Sequence, residues 1–167
     1  MTIATIDFEA SSLTGWPIEV GWMRESDTVP KSFLIRPHPS FGWAEWNKAS
    51  AKTHKISIKS LRDGEDPAVV LQAVAKALEN CLVVSNAPSR DAHWLKRLCD
   101  AVCETPPFEV STVAKALEKL SVRAEIPLWL AYDRFHAAGL TESEPEHRAA
   151  SDAARLMRRL MAVTSSA

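Results

Sequence analysis

The chain has 167 residues, of which 46% are hydrophobic and 25% charged, and its formal net charge is -1. That size suits one globular domain over 1–167 with a substantial core, and the near-neutral charge excludes global steering toward a polyanion. No apolar run approaches the roughly 20 residues that cross a bilayer and the first residues do not read as a signal segment, so a cytoplasmic protein with no membrane partner is expected.

The first predicted element is the strand containing Thr5-Ile6-Asp7-Phe8-Glu9-Ala10, followed by Ser11-Ser12-Leu13. Side chains alternate along a strand, so Asp7 and Glu9 project to one face with Cα atoms roughly 6.6 Å apart. Two carboxylates about 5 Å apart at an effective dielectric near 20 repel by roughly 3 kcal/mol, so such a pair needs protons, basic partners or metal. No Lys or Arg lies within ten residues of either acid, which favours a divalent cation held by hard oxygen ligands. Taken alone, the Asp-x-Glu pattern also suits the wet face of an edge strand.

Pro17 to Met23 predicts a second strand and Ser32 to Arg36 a third, with the turn in Glu25 to Pro30. These make an antiparallel meander. From Arg36 to Lys55 the pattern is irregular, with Phe41, Trp43 and Trp46 placed either to stack on bases or to pack as a lid on the core. His54 in this stretch reads as a structural histidine. Val70, Leu71, Val74, Leu78 and Cys81 have helical spacing, with Pro67 suited to the first turn, and Leu82 to Ser85 reads as a buried parallel strand.

Asn86 to Asp91 leads into a helix whose apolar face holds Trp94 or Leu95, Leu98 and Val102. Asp91 falls on that face, where an acid needs a partner unless it caps the helix. Phe108 to Val110 predicts a fifth strand. Helices over about Thr112 to Leu120 and Pro127 to Ala138 follow, with Leu117, Leu120, Leu128, Tyr132 and Phe135 on their apolar faces and Gly139 as a C-terminal cap. Cys81, Cys99 and Cys103 form no Cys-x-x-Cys pair and read as reduced packing residues, the last two one helical turn apart.

In the last helix, Ser143 and Glu146 have capping-box spacing. His147 and Asp152 would stand about 140° apart on a regular helix. Both can face one site if His147 lies in a loosened first turn or on the loop before it. The alanines around Asp152 permit close approach of this helix to the sheet.

Asp7 and Glu9 on the first strand, Asp91 opening a helix after the fourth, and His147 five residues before Asp152 together resemble the DEDDh exonucleases, the DnaQ-like enzymes of the ribonuclease H-like fold. The resemblance covers almost the whole chain. Ala10-Ser11-Ser12-Leu13 is similar to the family's Thr-Thr-Gly-Leu segment, and His54-Lys55-Ile56-Ser57 to its His-Gly-Ile-Ser region. Ser12 and Lys55 replace glycines, Arg90 stands where an apolar residue is common, and Asn86 is one residue farther from Asp91 than usual.

The resemblance implies an α/β fold with a ribonuclease H-like mixed five-stranded sheet, an antiparallel meander plus parallel strands, flanked by helices. It implies a 3′-to-5′ exonuclease acting on DNA or RNA with a free 3′ end, releasing nucleoside 5′-monophosphates with two Mg²⁺ or Mn²⁺ ions. Asp7 would bridge the ions, Glu9 and Asp152 would hold the nucleophile-side ion, Asp91 would serve the other or its waters, and His147 would be the general base. Ser11, Ser12, Leu13 and Asn86 would contact the terminal nucleotide. A catalytically silent nucleic-acid-binding or scaffolding domain and a ribonuclease H-like endonuclease are the rival readings, and a homodimer remains open.

Overall fold

Strands carrying apolar side chains on both faces need cover on both, and this chain supplies it with helices on each side of one sheet. The structure is a computed structural model and describes residues 1–39, 45–140, 142 and 146–165. Strands β1 (Thr2–Ala10), β2 (Pro17–Arg24), β3 (Lys31–Leu34), β4 (Cys81–Ser85) and β5 (Val110–Thr112) form a sheet in the order β3-β2-β1-β4-β5. The β1-β2 and β2-β3 pairs are antiparallel, and β4 pairs parallel to both β1 and β5. This is the mixed ribonuclease H-like sheet.

Even-numbered residues of β1, Ala4, Ile6 and Phe8, pack with Val70 and Val74 of α3 (Pro67–Ala77) and with Trp94, Leu95 and Leu98 of α4 (Pro88–Ala101). On the opposite face Ile3, Leu82 and Val84 meet α5 (Val113–Arg123), α6 (Leu128–Leu140) and α7 (Ala149–Met161), through Leu117, Leu120, Phe135, Met157 and Leu160. Each fully buried Leu or Ile contributes about 1.5–3 kcal/mol by leaving water. No helix among the described residues is long and apolar enough to cross a membrane.

Several elements differ from the expectations above. The stretch read as irregular contains α1 (Lys48–His54) and, after it, the single turn α2 (Ile58–Leu61). Asn47 starts α1 by accepting from the amides of Ala49 and Ser50 at 2.7 and 3.2 Å, and Lys55 ends it with a left-handed φ of 57°. Trp46 packs on Ile18, Ile56 and Leu61, as a lid would, whereas Phe41 and Trp43 lie outside the described residues. β5 is two residues later than expected, because Thr112 both ends the strand and caps α5 through its hydroxyl.

Gly139 is not a cap. It lies inside α6, where a Cβ would come within 2.8 Å of Arg159 Cζ, so the missing side chain makes room for a guanidinium stacked on Phe135. Leu128 stays 41% exposed, and Ala131 and Phe135 take the buried face instead. Cys99 packs in the core, but Cys103 falls beyond α4 and is exposed. The helix expected to open at a Ser143 capping box begins instead at Ala149, after Arg148; Glu146 accepts from Ser151 Oγ at 2.7 Å, and Ser143 lies outside the described residues.

Candidate active site

The C-terminal ends of β1 and β4 open into a cleft of about 550 Å³ that includes Asp7, Glu9, Ser12, Leu13, Asn86, Asp91, His147 and Asp152 in its walls. Strand alternation delivers Asp7 and Glu9 to the α7 side of the sheet. Asp91 arrives from the other direction: Pro88 opens α4, Ala87 is its N-cap, and Asp91 sits one turn in, buried. It is therefore no cap. Its carboxylate accepts from the Ser85 hydroxyl and the Phe8 backbone amide, which tie it to β4 and β1.

Asp152 reaches the pair because α7 lies almost directly on the sheet. A Cβ on Gly21 would stand 2.2 Å from the Ala149 carbonyl carbon, so any side chain there would push the helix away. Ala149 and Ala153 are buried, and Thr5 Oγ1 donates to the Ala153 carbonyl at 2.7 Å. His147 lies on the loop before α7 with φ of 51°. This turn removes the 140° conflict, and ligand atoms of Glu9, His147 and Asp152 lie within 4.8 Å of one another.

The electrostatics are those of crowded acids. Burial raises Asp7 well above the usual carboxylate range, and the charges of Asp91, Glu9, Asp152 and Glu19 raise it further. Burial, with Asp152, Glu19 and Asp91, pushes Glu9 up to about 7, against the pull of Arg148. Burial also raises Asp91 to about 7 despite its hydrogen bonds with Ser85 and Phe8 and the nearby charge of Arg90. Asp152 is raised by burial too, with Arg155 and His147 opposing.

A further acid in the group is held by short bonds to an arginine, and sequence reasoning missed it. Glu19, opposite Glu9 on β2 and only 1% exposed, accepts from Arg148 at 2.6 and 3.0 Å and from the Ala149 amide at 3.0 Å. The pair fixes the residue that follows His147, and with it the entry to α7. A glutamate beside a strand glycine, with an arginine just before an alanine pair far along the chain, was the available signal. Glu19→Ala should lower stability by about 2 kcal/mol, because three bonds to a charged group are lost while the half-exposed Arg148 can rehydrate. At ~2–4 °C per kcal/mol for a chain of this size, thermal denaturation should read about 4–8 °C lower. An unchanged or higher melting temperature would mean the pair carries no stability.

The turn between β1 and β2 sets the remaining candidates. Ser11 is buried and its hydroxyl accepts from the Trp16 amide at 3.0 Å, so it braces the turn and does not line the cleft. Ser12 does line it, and its Oγ is buried without a hydrogen-bond partner among the described residues. Leu13 is 72% exposed at the rim, and Asn86 is exposed on the opposite wall. Arg97 of α4 locks the turn by donating to the Thr14 carbonyl at 2.6 Å and stacking 3.8 Å from the Trp16 ring centre. His54 is buried; its Nδ1 accepts from the Ile56 amide at 3.0 Å, a structural bond.

Carboxylate oxygens are hard ligands, and four of them crowded at one sheet edge suit divalent cations such as Mg²⁺ or Mn²⁺ better than any soft metal. The raised acids support the fit, since bound positive charge would relieve the repulsion that raises them.

No protein-family model matches the chain, and no curated protein matches it in sequence. Solved structures do match in fold. A 3′-exonuclease described in 3′-end-specific recognition of histone mRNA stem-loop superposes with a TM-score of 0.67 at 13% identity, over 98% of this chain and 63% of that one. A full-length 3′-exonuclease gives 0.64 at 14% identity, over 95% and 79%. Exonuclease X in complex with 5′ overhanging duplex DNA gives 0.54 at 18%, over 96% and 90%. This chain thus spans less than two thirds of the first of these proteins.

Proposed function

We propose that this chain is a metal-dependent 3′-to-5′ exonuclease that hydrolyses phosphodiester bonds of DNA or RNA and releases nucleoside 5′-monophosphates. The observation that carries the reading is the convergence of Asp7, Glu9, Asp91 and Asp152 on one cleft with His147 at its edge. The fold shared with 3′-exonucleases supports it.

Asp7, central among the acids, would contact both of two Mg²⁺ or Mn²⁺ ions, Glu9 and Asp152 one of them, and Asp91 the other or its waters. When bound, such a pair supplies Lewis-acid activation of water and stabilises the departing oxygen. His147 accepts the proton of the attacking water on an imidazole nitrogen as the new oxygen–phosphorus bond forms. The bond from phosphorus to the 3′ oxygen then breaks, and that oxygen takes a proton from solvent water, so the shortened strand ends in a 3′ hydroxyl. Ser12 and Asn86 hold the terminal nucleotide, Leu13 wedges against its base, and Ser11 keeps the turn in shape.

Digestion of 5′-labelled DNA and RNA, single- and double-stranded, tests the reading and ranks the substrates. A ladder shortening from the 3′ end is expected. Internal cuts alone would point to an endonuclease, and no cleavage of any substrate would point to a binding domain.

Leu13→Ala should raise KM by about tenfold, in line with loss of a base contact of ~1–3 kcal/mol, and leave the melting temperature unchanged because the side chain is exposed. A large drop in melting temperature with unaltered kinetics would make Leu13 a packing residue.

The raised acids also fix a pH dependence. Glu9 and Asp91 ionise at about 7 in the folded chain and near 4 when unfolded. The folded state therefore holds more protons between those values, and metal-free stability falls as pH rises from about 4 through about 7. Mg²⁺ or Mn²⁺ should raise the melting temperature far more at pH 8 than at pH 5. Equal shifts at both pH values would contradict metal binding at these acids.

A further inference from the structure

Arg90 and Arg155 line the cleft, Arg97 and Arg148 brace elements that carry it, and the described residues engage all but Arg90. Arg148 is bound to Glu19, Arg97 to the Thr14 carbonyl and the Trp16 ring, and Arg155 stands 3.7 Å from Asp152 and 3.9 Å from Glu142. Arg90 differs. It lines the cleft one residue before Asp91, is exposed, and its side chain makes no hydrogen bond or ion pair among the described residues. Its charge acts on the Asp91 carboxylate, and it shares the cleft walls with the acids.

A planar guanidinium suits phosphate by two parallel hydrogen bonds, and a chain of net charge -1 must hold a polyanion with local cations. Resting on the nuclease reading, we propose that Arg90 binds a backbone phosphate of the substrate strand other than the scissile one. It thereby favours oligomeric nucleic acid over small phosphodiesters. The scissile phosphate belongs to the acids and the cations they would hold; Arg90, on the first turn of α4, adds a second hold on the same strand.

The test compares the unaltered protein, Arg90→Ala and Arg90→Lys on two substrates in Mg²⁺ over a range of KCl. One is a single-stranded oligonucleotide; the other is the p-nitrophenyl ester of thymidine 5′-monophosphate, whose single phosphodiester has no neighbour. On the oligonucleotide, Arg90→Ala should lose about tenfold in kcat/KM, as expected for a lost charge-assisted bond. The slope of log(kcat/KM) against log salt should flatten by about 0.7, the value for one phosphate contact on a single strand. Arg90→Lys should keep most of that slope. On the ester the loss should shrink to less than about twofold, because the second phosphate is missing.

An unaltered salt slope, or an equal loss on both substrates, would overturn the proposal. If the unaltered protein hydrolyses neither substrate, the nuclease reading itself fails and this assignment falls with it. An active protein whose Arg90→Ala variant behaves normally removes Arg90 alone.

Discussion

Asp7→Asn is expected to abolish hydrolysis and at the same time to raise the melting temperature of the metal-free protein. Asp7 is held well above the usual carboxylate range by burial and by the charges of Asp91, Glu9, Asp152 and Glu19. An amide of the same shape relieves that repulsion, so the fold gains stability when the charge goes. On the proposed function, the same change removes a carboxylate that would hold the divalent cations. Loss of a group that merely supports a metal ligand costs about 10–100-fold, so loss of a proposed ligand itself should exceed about 10³-fold in kcat. Activity assays and thermal denaturation without divalent ions read the two effects. Retained activity would remove Asp7 from the mechanism, and a lowered melting temperature would mean that the acid is paired after all. The contrast is Glu19, whose carboxylate is satisfied by Arg148 and the Ala149 amide and whose removal should destabilise the fold.

The second large effect is on turnover through His147. Its φ of 51° turns the chain so that the imidazole joins Glu9 and Asp152, and it is exposed to the cleft with no helix backbone to hold it back. Removing a positioned base costs typically about 10²- to 10⁴-fold. His147→Ala should lose kcat in that range with metal affinity retained, while Asp152→Ala should lose both. Added imidazole should restore part of the His147→Ala rate. An unchanged rate in that variant would exclude His147 as the base.

Much of this arrangement was legible because it follows from local periodicity. The alternation of strand β1 places Asp7 and Glu9 together, and helical spacing puts Asp91 on a buried face, where it needs a partner. Even the conflict between His147 and Asp152 pointed to the loop on which His147 stands. The rest depends on approaches between distant segments. Gly21 reads as an unremarked strand residue until α7 lies on it, and Glu19 reads as a surface acid until Arg148 arrives from 129 residues away. Ser11 and Ser12 are equivalent as letters, and only the turn sends one hydroxyl to the Trp16 amide and leaves the other on the cleft. Gly139 has the spacing of a helix stop, but its use is to admit Arg159 from another helix.

On the proposed function, these acids hold divalent cations for hydrolysis from a 3′ end. The decisive measurement incubates one sequence as a linear single strand and as a covalently closed circle, with Mg²⁺ or Mn²⁺, after chelation, and after restoring the ion. Mononucleotides carrying 5′ phosphates are expected from the linear strand alone, with no release under chelation and recovery on adding the ion back. Release that survives thorough removal of divalent ions, or cutting of the circle at the rate of the linear strand, would contradict that function.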